Sequence, residues 1–129
     1  MNIKNLLLLM LSLNYGGYAS AELFLVSTTE GPGFADPKEV AHILEKGIIP
    51  TFNHLTNLQD KKKIIAGGLP VGSRTFHLMI EAADHDELDR LLRAIPAWGV
   101  FSWKVTPLQS IKGRATMEKR VLKDLKSKM

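Results

Sequence analysis

Two side chains in this sequence have the chemistry to carry a proton at neutral pH and fall on one face of a predicted strand: His77 and Glu81. General acid–base chemistry needs a base to take a proton and an acid to return one, both with pKa values near the working pH. Histidine and glutamate are residue types that protein environments tune into that range. Their i, i+4 spacing on a strand separates them by about 13 Å. One substrate proton therefore reaches both only if another strand or subunit supplies the partner group. Thr75 and Met79 stand on the same face as candidate pocket-lining residues, and Trp103 joins them from a later strand. For Trp98 and Trp103, a place in the core or at an interface is the commoner role.

The other titratable groups form no second site. His42 falls on the polar side of a predicted helix, His54 on its flank, and His85 in the first turn of another helix. No pair of them has metal-ligand spacing with a third ligand nearby, so the expected metal and cofactor complement is none. The run Lys61-Lys62-Lys63 reads as a solvated start to a strand that discourages edge pairing.

The elements that must hold His77 and Glu81 are legible from period and punctuation. Glu22 to Thr28 is a first strand, and Gly31-Pro32-Gly33 belongs to a loop. Asp36 then caps a helix with Pro37 in its first turn and Glu39 placed for a capping box. Val40, Leu44, Ile48, Phe52, Leu55 and Leu58 lay an apolar stripe along that helix. Gly47 and Pro50 interrupt it, so a bend near Lys46 to Pro50, or two shorter helices, is expected. Ile64 to Leu69 is a second strand whose glycines predict a bulge or close backbone approach. Arg74 to Ala83 is the third strand, with Phe76, Leu78 and Ile80 opposite the face of His77 and Glu81. Asp84 and Glu87 form a second capping box, Leu88, Leu91, Leu92 and Ile95 give the next helix a continuous stripe, and Pro96 stops it. Phe101, Trp103 and Val105 alternate in a fourth strand that Pro107 is expected to end.

Both ends of the chain differ from this body. Lys4, the apolar run Leu6 to Leu13 and Ala19-Ser20-Ala21 have the layout of a secretory signal cleaved after Ala21, which predicts a secreted or periplasmic protein. The apolar run is shorter than the roughly 20 residues that span a bilayer, and no other segment has the length for a transmembrane helix. With no cysteine in the chain, export brings no disulfide framework. The formal charge is +4, yet residues 112–129 hold seven basic against two acidic side chains, while residues 22–111 hold nine against eleven. The basicity belongs to an amphipathic tail that could dock on a neighbouring subunit, lie on an anionic membrane or stay mobile. A nucleic-acid partner is not expected, because no basic face with interleaved aromatics lies on the body.

The order β-α-β-β-α-β over residues 22–111 fits an antiparallel sheet with two helices on one face, the ferredoxin-like arrangement. The other face is then free for a second copy of the chain, sheet to sheet, to make a dimeric α+β barrel with a cavity between subunits. Phe24-Leu25-Val26 with Asp36-Pro37-Lys38-Glu39-Val40, Asp86-Glu87-Leu88 through Ile95-Pro96, and Trp103-Lys104-Val105-Thr106-Pro107-Leu108 resemble the muconolactone Δ-isomerase family. The resemblance implies a homo-oligomer and an intramolecular isomerase moving a double bond in a small lactone-type substrate. The chain departs from the family pattern at Lys63-Ile64, where Trp-Arg is usual, and at Gln109-Ser110, where His-Pro is usual. Two alternatives stand beside the isomerase. One is a noncatalytic periplasmic module binding a small hydrophobic molecule, and the other, by fold analogy, is a dimeric barrel that binds haem through His77 or acts as a cofactor-free monooxygenase.

Overall fold

The computed structural model describes residues 21–129; the expected signal segment, apart from Ala21, lies outside the described residues. In chain order the elements are β1 (Glu22–Thr28), α1 (Pro37–Ile43), a π-helical turn (Leu44–Ile48), α2 (Ile49–Asp60), β2 (Ile64–Gly68), β3 (His77–Ala82), α3 (His85–Arg93), a 3-10 turn (Trp98–Val100), β4 (Trp103–Leu108) and α4 (Ile111–Ser127). The strands make one antiparallel sheet in the spatial order β2-β3-β1-β4, so the fold is α+β. No helix among the described residues is long and apolar enough to cross a membrane.

Period-2 alternation decides which sheet face meets the helices. In β1, Phe24 and Val26 are fully buried while Leu25 between them is 38% exposed. The register carries that parity across the sheet, because directly opposed residues share a face. Val26 stands between Leu78 and Val105, and Leu25 between Met79 and Thr106. Phe24, Val26, Leu78, Ile80 and Ala82 join Leu55 and Leu58 of α2, Leu88 and Leu92 of α3, and Ile95 in one core. Among the described residues, nothing covers the opposite face.

Of three local expectations, one is borne out and two are revised. The helix that begins at Pro37 divides into two shorter α-helices, α1 and α2, joined by the π turn. The backbone widens by one residue, so that Ile49 N–H donates to Leu44 O five residues back, and Pro50 lands in the first turn of α2, where its missing N–H is not needed. The apolar stripe on that helix divides in two: Leu55 and Leu58 are buried, whereas Leu44, Ile48 and Phe52 are 38–41% exposed. Pro107 does not end β4, which runs on to Leu108. An edge strand tolerates proline because its outer N–H groups bond nothing in the sheet, and β4 is an edge.

The glycines of β2 behave as their spacing predicts. The β2–β3 register shifts between Ile64 and Ala66, a bulge at Ile65, and a Cβ on Gly67 would stand 2.7 Å from His77 O. Lys63 at the start of β2 is more than solvated: its Nζ lies 2.6 Å from Glu87 Oε1. Glu87 Oε2 accepts the Ala83 N–H, and Asp84 Oδ1 accepts the Glu87 N–H, so a single carboxylate ties β2 to the start of α3. At the C-terminus, Ser110 caps α4 by accepting the Gly113 N–H, and among the described residues no other helix or strand packs on α4.

Candidate ligand-binding cavity

His77 and Glu81 both stand on the uncovered sheet face and are exposed. Ser27, opposite His77 in the register, shares a 3.0 Å hydrogen bond with its Nδ1, and Thr75 Oγ1 lies 3.5 Å from its Nε2. The imidazole is thus held by two hydroxyl groups. Leu23 is the residue opposite Glu81. The two proton carriers do not converge on a common point within one chain. Beside His77, a broad and shallow depression of about 420 Å³ is lined by Leu25, Ala66, Gly68, Leu69, Pro70 and Met79. Trp103 falls on the other face, opposite Thr28. Its indole N–H donates to Trp98 O at 2.9 Å and its ring meets Phe101 edge-on, so it does not join Thr75, His77 and Met79. Among the described residues no cluster of His, Asp or Glu could hold a metal ion.

A second, deeper space lies on the helix side, at the end of the sheet where β1 leaves and β3 begins. This cavity of about 370 Å³ is bounded by the loop Gly31, Pro32 and Phe34, by Ile43, Gly47 and Ile48 around the π turn, by Thr51 and Phe52 of α2, by Ser73, Arg74 and Phe76 ahead of β3, and by Pro96, Ala97, Val100 and Phe101. Its existence follows from the helix described above. The π turn carries the first half of the apolar stripe past the end of the sheet, so Ile48 and Phe52 face a space with no strand to fill it. Four apolar side chains around it, Phe34, Ile48, Phe52 and Val100, keep 38–56% of their surface exposed. Apolar area concentrated around one concavity marks a ligand site more often than chance exposure does.

The walls are fixed by the outgoing end of β1. Thr28 exchanges hydrogen bonds with Phe76, its N–H donating to Phe76 O and its Oγ1 accepting the Phe76 N–H. Thr29 does the same with Ser102, through its N–H and its Oγ1. These clamps set a row of rings, Phe52 to Phe76 at 5.5 Å and Phe76 to Phe101 at 5.4 Å between centroids, with Trp103 behind Phe101 at 6.0 Å. Trp103 supports the wall from behind.

Polar groups in the lining are few and held in place. Thr51, 2% exposed, accepts the Ala97 N–H at 3.1 Å and keeps its own hydroxyl proton for another acceptor. Arg74 lies across the loop: its Nε donates to Gly31 O at 2.8 Å while its carbonyl accepts the Gly31 N–H. Gly31 permits the approach of Phe101, whose ring edge would stand 2.9 Å from any Cβ there. Neither Thr51 nor Arg74 is a general acid or base at neutral pH, so the cavity can enclose and orient a molecule without a proton carrier of its own. His54 Nε2 is buried and has no hydrogen-bond partner among the described residues, but His54 is not part of the lining.

Sequence reasoning passed over this site. Its residues come from five separate segments with no shared spacing, and the one local signal was Gly47 and Pro50 interrupting an otherwise regular apolar stripe. Fold and cavity together define an α+β chain whose helices and sheet end border an apolar cavity open on one side. No family model and no curated protein matches it.

Proposed function

We propose that this protein is a binding module for a small apolar molecule, held in the cavity between the α1–α2 helix pair and the end of the sheet. The observation that carries this reading is the apolar cavity, open on one side, lined by Ile48, Phe52, Phe76 and Phe101, with no general acid or base among the described residues that line it. A proton-shift isomerase would need His77 or Glu81 at the substrate, and both lie on the opposite sheet face. The isomerase reading therefore takes second place. It would require a second copy to cover that face and bring an acid to the imidazole already oriented by Ser27 and Thr75.

We read the element order and the spatial order β2-β3-β1-β4 as the ferredoxin-like arrangement. We further propose that copies of the chain associate through the uncovered face, where Leu23, Leu25, Met79 and Leu108 are only partly buried. The leader-like residues 1–21 support export. The test of binding is calorimetric titration with a short-chain alcohol such as octan-1-ol. The expected result is saturable binding with a rise in melting temperature and no chemical conversion. Absence of saturable binding for octan-1-ol and for an aromatic probe of similar size would overturn the reading.

A further inference from the structure

Among the described residues, Arg74 is the single charged one lining the cavity. Its position is built: Nε is tied to Gly31 O at 2.8 Å, and the guanidinium lies flat against the loop, with its carbon and both terminal nitrogens 3.5–3.6 Å from where a Cβ on Gly33 would be. The tether occupies Nε and leaves the N–H groups of the two terminal nitrogens. The side chain is 54% exposed, which places the charge at the mouth. Its acidic neighbour, Glu30, is 60% exposed and 3.5 Å away. An ion pair between two groups this exposed is weak and competes poorly with a ligand whose tail is already held.

We propose that the cavity takes an amphiphilic acid, its hydrocarbon part among Ile48, Phe52, Phe76 and Phe101 and its carboxylate on the terminal nitrogens of Arg74. This inference rests on the cavity being a ligand site and adds the class of ligand. A guanidinium held flat by its Nε presents its remaining donors in a fixed plane, which suits the two oxygens of a carboxylate. At the mouth the carboxylate keeps part of its hydration, so its desolvation cost stays small. Among the described residues no acidic side chain lines the space itself, and the carboxylate beside Arg74 is that of Glu30 at the mouth. Thr51, deeper and nearly fully buried, offers one hydroxyl proton and so tolerates a single acceptor along the tail.

The experiment compares octanoate with octan-1-ol by calorimetry at low and at high salt, using the full chain and its Arg74→Gln and Glu30→Gln variants. The same tail on both ligands isolates the headgroup. Octanoate should bind the parent protein about tenfold or more tightly than octan-1-ol, with the advantage shrinking in high salt. Arg74→Gln should bring the two affinities together by weakening octanoate alone, and Glu30→Gln should strengthen octanoate severalfold. Should Arg74→Gln fail to fold, Glu30→Gln and the salt dependence decide the matter. Equal binding of the two ligands by the parent, or an octanoate preference unchanged by Arg74→Gln or Glu30→Gln, would overturn the headgroup assignment while leaving the cavity reading intact. Binding of neither ligand, nor of the aromatic probe, would overturn both.

Discussion

Gly47 is where the cavity reading and the stability of the fold meet. It sits in the π turn and lines the cavity, and a Cβ built on it meets no atom within 4 Å. Gly47→Leu should therefore place an isobutyl group in open space instead of against a neighbour. Two contributions have the same sign. Replacing glycine within a helical stretch gains about 0.5 to 1 kcal/mol from reduced backbone freedom in the unfolded chain. Full burial of a leucine side chain is worth about 1.5 to 3 kcal/mol, of which a side chain in a cavity open on one side realises roughly half. The sum, about 1.2 to 2.5 kcal/mol, corresponds to a rise in melting temperature of roughly 5 to 11 °C for a domain of this size. The same side chain occupies the ligand's place, so affinity for octan-1-ol should fall at least about tenfold. Gly47→Ala is the control: it keeps most of the propensity gain and leaves room for the ligand. Thermal melts by circular dichroism and calorimetric titration read both effects. A lower melting temperature for Gly47→Leu would show that the space is not free, and a higher one with undiminished octan-1-ol binding would show that the ligand goes elsewhere.

Three further outcomes follow from the fold. The hydrogen bond from the Lys63 ammonium, with the N–H of Ala83, holds the Glu87 carboxyl below its ordinary value. A depressed carboxyl pKa contributes stability that is present above the unfolded value and lost as pH falls through the folded one. Urea midpoints should accordingly drop as pH is lowered from about 5 to about 3, and Glu87→Gln should flatten that drop at a cost of about 1 kcal/mol at pH 7. Phe24→Ala, removing a fully buried ring from the central strand β1, should cost about 3 to 5 kcal/mol in urea denaturation; a cost below about 1 kcal/mol would mean that the sheet face is misassigned. Deleting residues 111–129 should change the melting temperature of the body by no more than about 2 °C, since no other helix or strand among the described residues packs on α4; a larger fall would reveal a docking contact.

How much could be read in advance depended on how local the signal was. The third strand and the helix after it were legible because alternation around Leu78 and Ile80 and the Asp84–Glu87 cap each act within a few residues. The parity of β3 also placed Thr75, His77, Met79 and Glu81 on one face, and they stand on the face away from the helices. Of the two roles open to Trp103, the core one holds and the pocket one does not, because parity within a strand does not say how that strand registers with its neighbours. Only the pairing of Trp103 with Thr28 sends it to the helix side. Pro107 was read as a stop because edge position is a property of the sheet order, not of the strand. The cavity was invisible for the same reason. Ile48 and Phe52 carry the helical period of buried residues, and only the placement of the π turn beyond the end of the sheet leaves them partly exposed around an open space.

The central claim is that a small apolar molecule binds on the helix side of the sheet and not on the uncovered face. Two-dimensional amide NMR of the isotope-labelled protein, titrated with octan-1-ol, tests it most directly. Saturable shifts gathered on Gly31, Gly47, Thr51, Phe76 and Ala97, with Leu25, Met79 and Glu81 unmoved, are the predicted result. Shifts centred on Leu25, His77 and Met79, or none at saturating alcohol, would contradict it.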